Sequence, residues 1–403
     1  MYYVAETGAL VAEGVIKPSQ AQEIERRARA AMVALVINTL LIGGIVAAAL
    51  GLVFWLADAM SVAVVGGVSA VIGIAILRWG ADLYRMFGNA AALIGAGMLA
   101  SGAGLELADK YPETATVMML LMGAAIAGAA LVGVRRGGTK LQFACGSILL
   151  MGLALHFGGL VYGAQAGDLD GLPKPILHLY SAALVITAGW VLDLRIVTAL
   201  AIIPLAQMFE TGTFYSHAMY AFYSPEPTLS ILQMGLMIGA CLWIAKAAGP
   251  VVQRQAGVLA VMAFIIANLC FLVGSLWGDV IGQSIWGPGW YRYSGEQSYE
   301  DYKVVRDAFE ASALVINETV FTVVWALLLA AVIIWAAFGN RRGLFNAGMT
   351  FAGIHAYTQM FENFGDEPLA FVVGGLAAVP LAWGLWRLDA RLWGGDGPAP
   401  QDG

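Results

Sequence analysis

Glu210 and Glu362 each close a Gln-Met-Phe-Glu tetrapeptide, at Gln207–Glu210 and again at Gln359–Glu362, near the end of an otherwise apolar run. A carboxylate at membrane depth is costly as an anion, so its pKa rises unless a cation or histidinium compensates it, which suits proton or cation handling. His355, Gln359 and Glu362 follow the i, i+4, i+7 spacing of one helix face, and Gln207 and Glu210 share a face by the same rule. At the α-helical rise, His355 lies about 20 Å and Glu362 about 30 Å from Arg342, while Glu210 lies about 22 Å from Arg195 and is the deeper carboxylate. His156, Asn268 and the Asn317-Glu318 pair fall in the same layer of other apolar runs. The candidate solute or ion site is therefore Glu210, His355, Glu362, Gln359, Gln207, Glu318 and His156, with Glu210, Glu362 and His355 expected to line one outward-facing cavity. The plainer alternative is that Glu362 and Glu318 reach the headgroup layer and that each histidine bonds one helix to another.

Other chemistries lack their signatures. Bis-histidine haem ligation by His156 and His355, or a metal held by Glu210, His355, Glu362 and His156, has no diagnostic spacing, so neither cofactor is expected. No G-x-S-x-G, H-E-x-x-H or Walker sequence is present, and no catalytic residue is assigned. Cys145, Cys241 and Cys270 lie within apolar runs and read as small buried hydrophobes. A net charge of -6 without a basic stripe argues against nucleic acid.

The elements that carry these residues follow from composition. A chain of 403 residues that is 60% hydrophobic and 12% charged, with mean hydropathy +0.77, is a polytopic membrane protein rather than a soluble one. Its 50 glycines suit helices that gain from close backbone approach. The expected fold class is an all-α bundle of about twelve spans, at 34–57, 60–77, 86–107, 114–134, 141–165, 175–192, 196–214, 228–247, 255–277, 311–338, 343–363 and 368–387. On this segmentation all of the 21 basic residues except Lys110, Lys174, Arg292, Lys303 and Arg306 fall on one side, so both termini are expected to be cytoplasmic. Most carboxylates fall on the other side, leaving an anionic outer face that would concentrate cations.

Residues 1–33 read as a cytoplasmic helical hairpin, broken at Gly14 and restarted by a capping box from Pro18-Ser19 with Gln22. They lack the pattern of a signal peptide. Residues 34–393 form the membrane region, 278–310 an outer loop with Trp286, Trp290, Tyr291, Tyr293, Tyr299 and Tyr302, and 394–403 a disordered tail. Several outer turns place a proline beside an acid before the descending span, as in YPETATVMML, SPEPTLSILQ and DEPLAFVVGG. Segments 196–247 and 343–387 thus read as two copies of one hairpin, each with QMFE ascending and Glu-Pro starting the descent.

The N-terminal GALVAEGVIKPSQAQEIERRAR, followed by a first span ending GLVFWLAD, and the C-terminal NAGMTFAGIHAYTQMFENFGDEPLAFVVGGLAAVPLAWGLWRLDAR carry a likeness. They resemble a bacterial family of integral membrane proteins of unknown function, some of them encoded beside membrane proteins with a GDYxxLxY motif. That resemblance implies a multi-pass inner-membrane protein and supplies no activity or site residue. The reading favoured is a protein that binds or transports a small solute or ion, protons and cations included, through a polar site in the outer half of the bundle. The alternative is a non-transporting envelope scaffold or sensor whose cytoplasmic hairpin docks a protein partner.

Overall fold

The computed structural model describes residues 7–56, 58–167, 174–216, 219–288, 299–339 and 341–364, together with 367, 369, 372–376, 379–380, 383–384 and 387. The chain divides into two compact units, residues 1–173 and 174–403. The tail expected at 394–403 lies outside the described residues, as do Trp290, Tyr291 and Tyr293 of the aromatic loop.

Unit 1 contains α1 (Thr7–Ala12), α2 (Pro18–Leu56), α3 (Ala59–Trp79), α4 (Arg85–Lys110), α5 (Pro112–Arg136) and α6 (Gly138–Ala166). The start of α2 differs in register from the expected capping box: Pro18 is its first residue, and the Gln20 side chain accepts the Lys17 N–H at 2.9 Å. From there α2 runs unbroken to Leu56. Two antiparallel pairs make the body of the unit, and their closeness is set by glycine. A Cβ at Gly95 of α4 would stand 2.3 Å from the Ala70 nitrogen of α3, and one at Gly123 of α5 would stand 2.4 Å from the His156 nitrogen of α6. At one end, Asp58 caps α3 through the Ser61 N–H at 2.9 Å, and Lys110 bridges Asp58 at 3.2 Å and the buried Glu106 at 3.0 Å.

Unit 2 contains α7 (Lys174–Leu192), α8 (Arg195–Leu200), α9 (Ile202–Gln207), the strands β1 (Gly212–Ser216) and β2 (Met219–Tyr223), then α10 (Pro227–Ala247), α11 (Pro250–Trp277), β3 (Asp279–Val280), α12 (Tyr299–Ser312), β4 (Val315–Ile316), α13 (Glu318–Phe338) and α14 (Arg342–Phe364). The all-α class holds, with two short antiparallel ribbons, β1–β2 and β3–β4, added to it. The core joins α10, α11, α13 and α14 around Phe271, Phe321, Trp325, Leu329 and Phe351, with Phe271 stacked on Trp325.

Nine of the described helices are long and apolar enough to cross a membrane, six in unit 1 and the start of unit 2 (α2 to α7) and three later (α10, α11 and α13). Three of the expected twelve spans are not among them. The segment 196–214 is no continuous span: Pro204 has no N–H to give the Leu200 carbonyl, so α8 stops at Leu200 and only six more residues are helical. α14 is 23 residues long but more polar, and the segment 368–387 is described only in part.

Candidate functional site

The first QMFE does not lie on one helix face. Glu210 has φ 58°, its N–H donates to the Gln207 carbonyl at 3.1 Å, and the Thr211 N–H donates to the Ala206 carbonyl at 3.2 Å. That pair of bonds around a left-handed residue is the Schellman arrangement that closes a helix, with Glu210 in the position usually given to glycine. Glu210 is exposed, and the end of the Gln207 side chain lies over Gly212, where a Cβ would stand 2.2 Å from its Nε2. The second QMFE is helical within α14, so the two copies share a sequence and not a structure. Glu362 is exposed, and so is Glu318, which opens α13 behind the cap formed by Asn317 on the Thr319 N–H at 2.8 Å. Glu210 and Glu362 are thus both exposed, at the end of α9 and within α14, while His355 is half-buried.

His355 and Gln359 do turn inward. The His355 ring meets Trp325 edge-on at 4.8 Å, the Trp325 indole N–H donates to Asn268 at 2.9 Å, and the Asn268 amide donates to the Phe264 carbonyl at 2.7 Å. Trp325 and Asn268 are buried, and their bonds satisfy each other. By contrast the His355 Nδ1 and the Gln359 Nε2 are buried with no hydrogen-bond partner among the described residues. Gln233 of α10 donates to the Leu205 carbonyl at 2.7 Å, supplying a partner for a helix-end carbonyl of α9, and its own carbonyl oxygen is left buried and unpartnered among the described residues. His156 belongs to unit 1, where its Nδ1 meets the Leu120 carbonyl at 2.9 Å across the α5–α6 crossing. It ties two helices together there.

The break after α9 is closed by hydroxyls. Thr211, Ser224 and Ser230, all buried, form a triangle with sides of 2.8, 2.6 and 3.2 Å, beside the buried Cys270. Next to this knot stand two acids that no spacing argument singled out. Glu226 is 4% exposed, and its two carboxylate oxygens accept the Gly282 N–H at 2.9 Å and the Ser284 N–H at 3.1 Å. Asp279 is 3% exposed and accepts the Thr228 N–H at 2.8 Å, so the acid that caps α10 comes from beyond α11 rather than from the Glu-Pro pair itself. Burial pushes the Asp279 carboxyl up, the Thr228 bonds pull it down and the neighbouring Glu226 charge adds to the rise. In the sequence Glu226 reads as the acid that starts the descending span and Asp279 as ordinary loop charge. The clue was their setting, since each is flanked by apolar or small residues (SPEPTL and WGDVIG) rather than by other polar ones.

Among the described residues no group of three or more His, Cys, Asp or Glu side chains gathers as metal ligands. No family model, curated protein or solved structure matches this chain.

Proposed function

We propose that this is a multi-pass membrane protein of the bacterial inner membrane, with cytoplasmic termini, whose second unit binds a small solute or ion and gives it passage. One observation carries the reading. Of the seven buried side-chain polar atoms with neither a hydrogen-bond nor an ion-pair partner among the described residues, only Asn89 Oδ1 belongs to unit 1, and the other six belong to unit 2. A buried polar group without a partner costs about 1–3 kcal/mol, so a concentration of them marks a place that water or a ligand completes. The interrupted helix α8–α9 supports it too, because non-helical backbone at membrane depth persists where it is buried in protein or lines a cavity. The ends of the chain resemble membrane proteins of unknown function, which agrees with the location and adds no substrate.

Hydration of the path is the test. Cys145, Cys241 and Cys270 are all buried, so a cysteine introduced at Gln359 can be read against a low background. In membrane vesicles Gln359→Cys reacts with a small, charged, membrane-impermeant thiol reagent added to the aqueous phase, whereas Leu329→Cys in the apolar core does not. A Gln359→Cys as unreactive as Leu329→Cys would leave a dry bundle, and the reading would fall to the scaffold alternative.

A further inference from the structure

Two buried acids, Glu226 and Asp279, stand together where α10 begins, each bonded to the backbone of a hydroxyl-bearing residue, Ser284 and Thr228. Glu226 and Asp279 are both almost fully buried and take no basic partner in any ion pair among the described residues. A pair of adjacent acids so placed costs free energy unless something compensates its charge. Hydrogen bonds do so only in part: Asp279 Oδ2 accepts the Thr228 N–H and the Thr228 hydroxyl and Val280 backbone add to the compensation, but no donor among the described residues meets the buried Oδ1 in hydrogen-bond geometry. The Ser284 hydroxyl oxygen is buried and unpartnered among the described residues, and the Thr228 hydroxyl faces the Asp279 carboxyl closely enough to help pull its pKa down. Thr228 carries the N–H that Asp279 accepts, and Ser284 carries one that Glu226 accepts, so both hydroxyls belong to residues already held against the two acids.

The loop is shaped to hold this arrangement. Gly278 and Gly282 both have left-handed φ, 68° and 90°. At Gly282 a Cβ would stand 2.2 Å from the Trp286 indole nitrogen, and the N–H of this residue is the one that Glu226 Oε1 accepts. The other end is fixed by β3, where Asp279 pairs with Ile316 just before α13. Carboxylates and hydroxyls with no nitrogen or sulfur ligand are the donor set of a hard cation, and an irregular loop of this kind accommodates the large, flexible coordination shell of calcium better than the strict octahedron of magnesium.

We propose that Glu226, Asp279, Thr228 and Ser284 form a binding site for a hard divalent cation of the calcium class, which ties the head of α10 to the loop after α11. The site deepens the reading of unit 2 as a binding unit and rests on that reading only for its location, since an ion can bind here whether or not anything crosses the membrane.

The experiment uses the purified full chain in detergent, stripped with chelator and titrated with calcium alone, magnesium alone and an excess of potassium. Binding is read as bound metal per chain by equilibrium dialysis and as the shift of the thermal midpoint. About one calcium per chain is expected, with magnesium at least 10-fold weaker and potassium without effect. Glu226→Gln and Asp279→Asn each abolish the calcium-dependent shift, and Glu113→Gln in the first turn of α5 keeps it. Should either carboxylate variant fail to fold, Ser284→Ala removes one oxygen only and weakens calcium binding several-fold in a folded protein. Wild type that binds no calcium overturns the proposal, as does unchanged binding in a folded Glu226→Gln or in Ser284→Ala. Metal binding with an unreactive Gln359→Cys would sink passage and leave the cation site standing, and the reverse pair of results would do the opposite.

Discussion

At the scale of single residues, Glu210 shows how a chemical reading and a conformational one can compete for the same side chain. A carboxylate near the end of an apolar run invites a proton-handling role, and with φ 58° this residue also closes α9. A side chain with a Cβ costs about 1 kcal/mol in that region relative to glycine. Glu210→Gly is therefore expected to keep the fold and to raise resistance to unfolding by up to about 1 kcal/mol, less whatever the exposed carboxylate contributes. A loss of several kcal/mol in a detergent unfolding titration would show that the charge itself holds the turn. The bond from Trp325 to Asn268 is a harder constraint, since both residues are buried. Asn268→Ala strands the indole N–H and should cost about 1–3 kcal/mol. Trp325→Phe in the same background removes the stranded donor, so the double variant is less destabilised than the sum of the two singles. Strict additivity in that cycle would mean that the bond contributes nothing.

At the scale of elements, the turn between α7 and α8 is fixed by charge. Asp193, itself at φ 51°, accepts the Gln255 amide at 2.9 Å and pairs with Arg254, while Thr198 donates to the other end of Gln255 at 2.7 Å in a buried bond. The Gln255 bond, ahead of the Arg254 bond and charge, holds the Asp193 carboxyl below its ordinary value. A carboxyl whose pKa is lower in the folded state stabilises the fold above its unfolded pKa of about 3.9, and that contribution is lost as pH falls through the lower, folded value. Asp193→Asn, which tolerates the left-handed turn, should show less loss of stability than wild type between pH 5 and 3; parallel curves would refute the link. The α3–α4 crossing makes a steric counterpart. Gly95→Val drives a side chain into the Ala70 backbone, and the expected result is a loss of at least about 1–3 kcal/mol. The paired helices of unit 1 were legible in the sequence because each is a long apolar run between basic or proline-bearing turns. The break at Pro204 was legible as chemistry and overlooked as pattern, since mean hydropathy carries the run from 196 to 214 across the very proline that interrupts it. The Glu226–Asp279 pair was not legible, because 53 residues and a whole helical hairpin separate its members and only the fold brings them together.

At the scale of the whole molecule, the question is which ends of the helices share a side. The nine apolar helices among the described residues are compatible with a multi-pass architecture, and on the proposed reading the basic residues would orient it: Arg135, Arg136 and Lys140 flank the α5–α6 turn, and Lys246 and Arg254 flank the α10–α11 turn. Between those turns lies the interrupted segment α8–α9, which at 13 residues covers about 20 Å, short of a hydrocarbon core of about 30 Å. If the segment with its β1–β2 ribbon completes a crossing, the two basic turns are on the same side. If it turns back, α10 and everything after it are inverted, and the basic turns fall on opposite sides. Short basic loops resist translocation, so the crossing is expected. Single cysteines at Thr139 and Gly249, labelled from one face of sealed vesicles, should therefore react together, with Glu113→Cys and Glu300→Cys reacting from the other face. Labelling of Thr139→Cys and Gly249→Cys from opposite faces would make α8–α9 a re-entrant segment, place the Glu226–Asp279 pair on the cytoplasmic side, and expose that pair to the low calcium of the cell interior rather than to the outside.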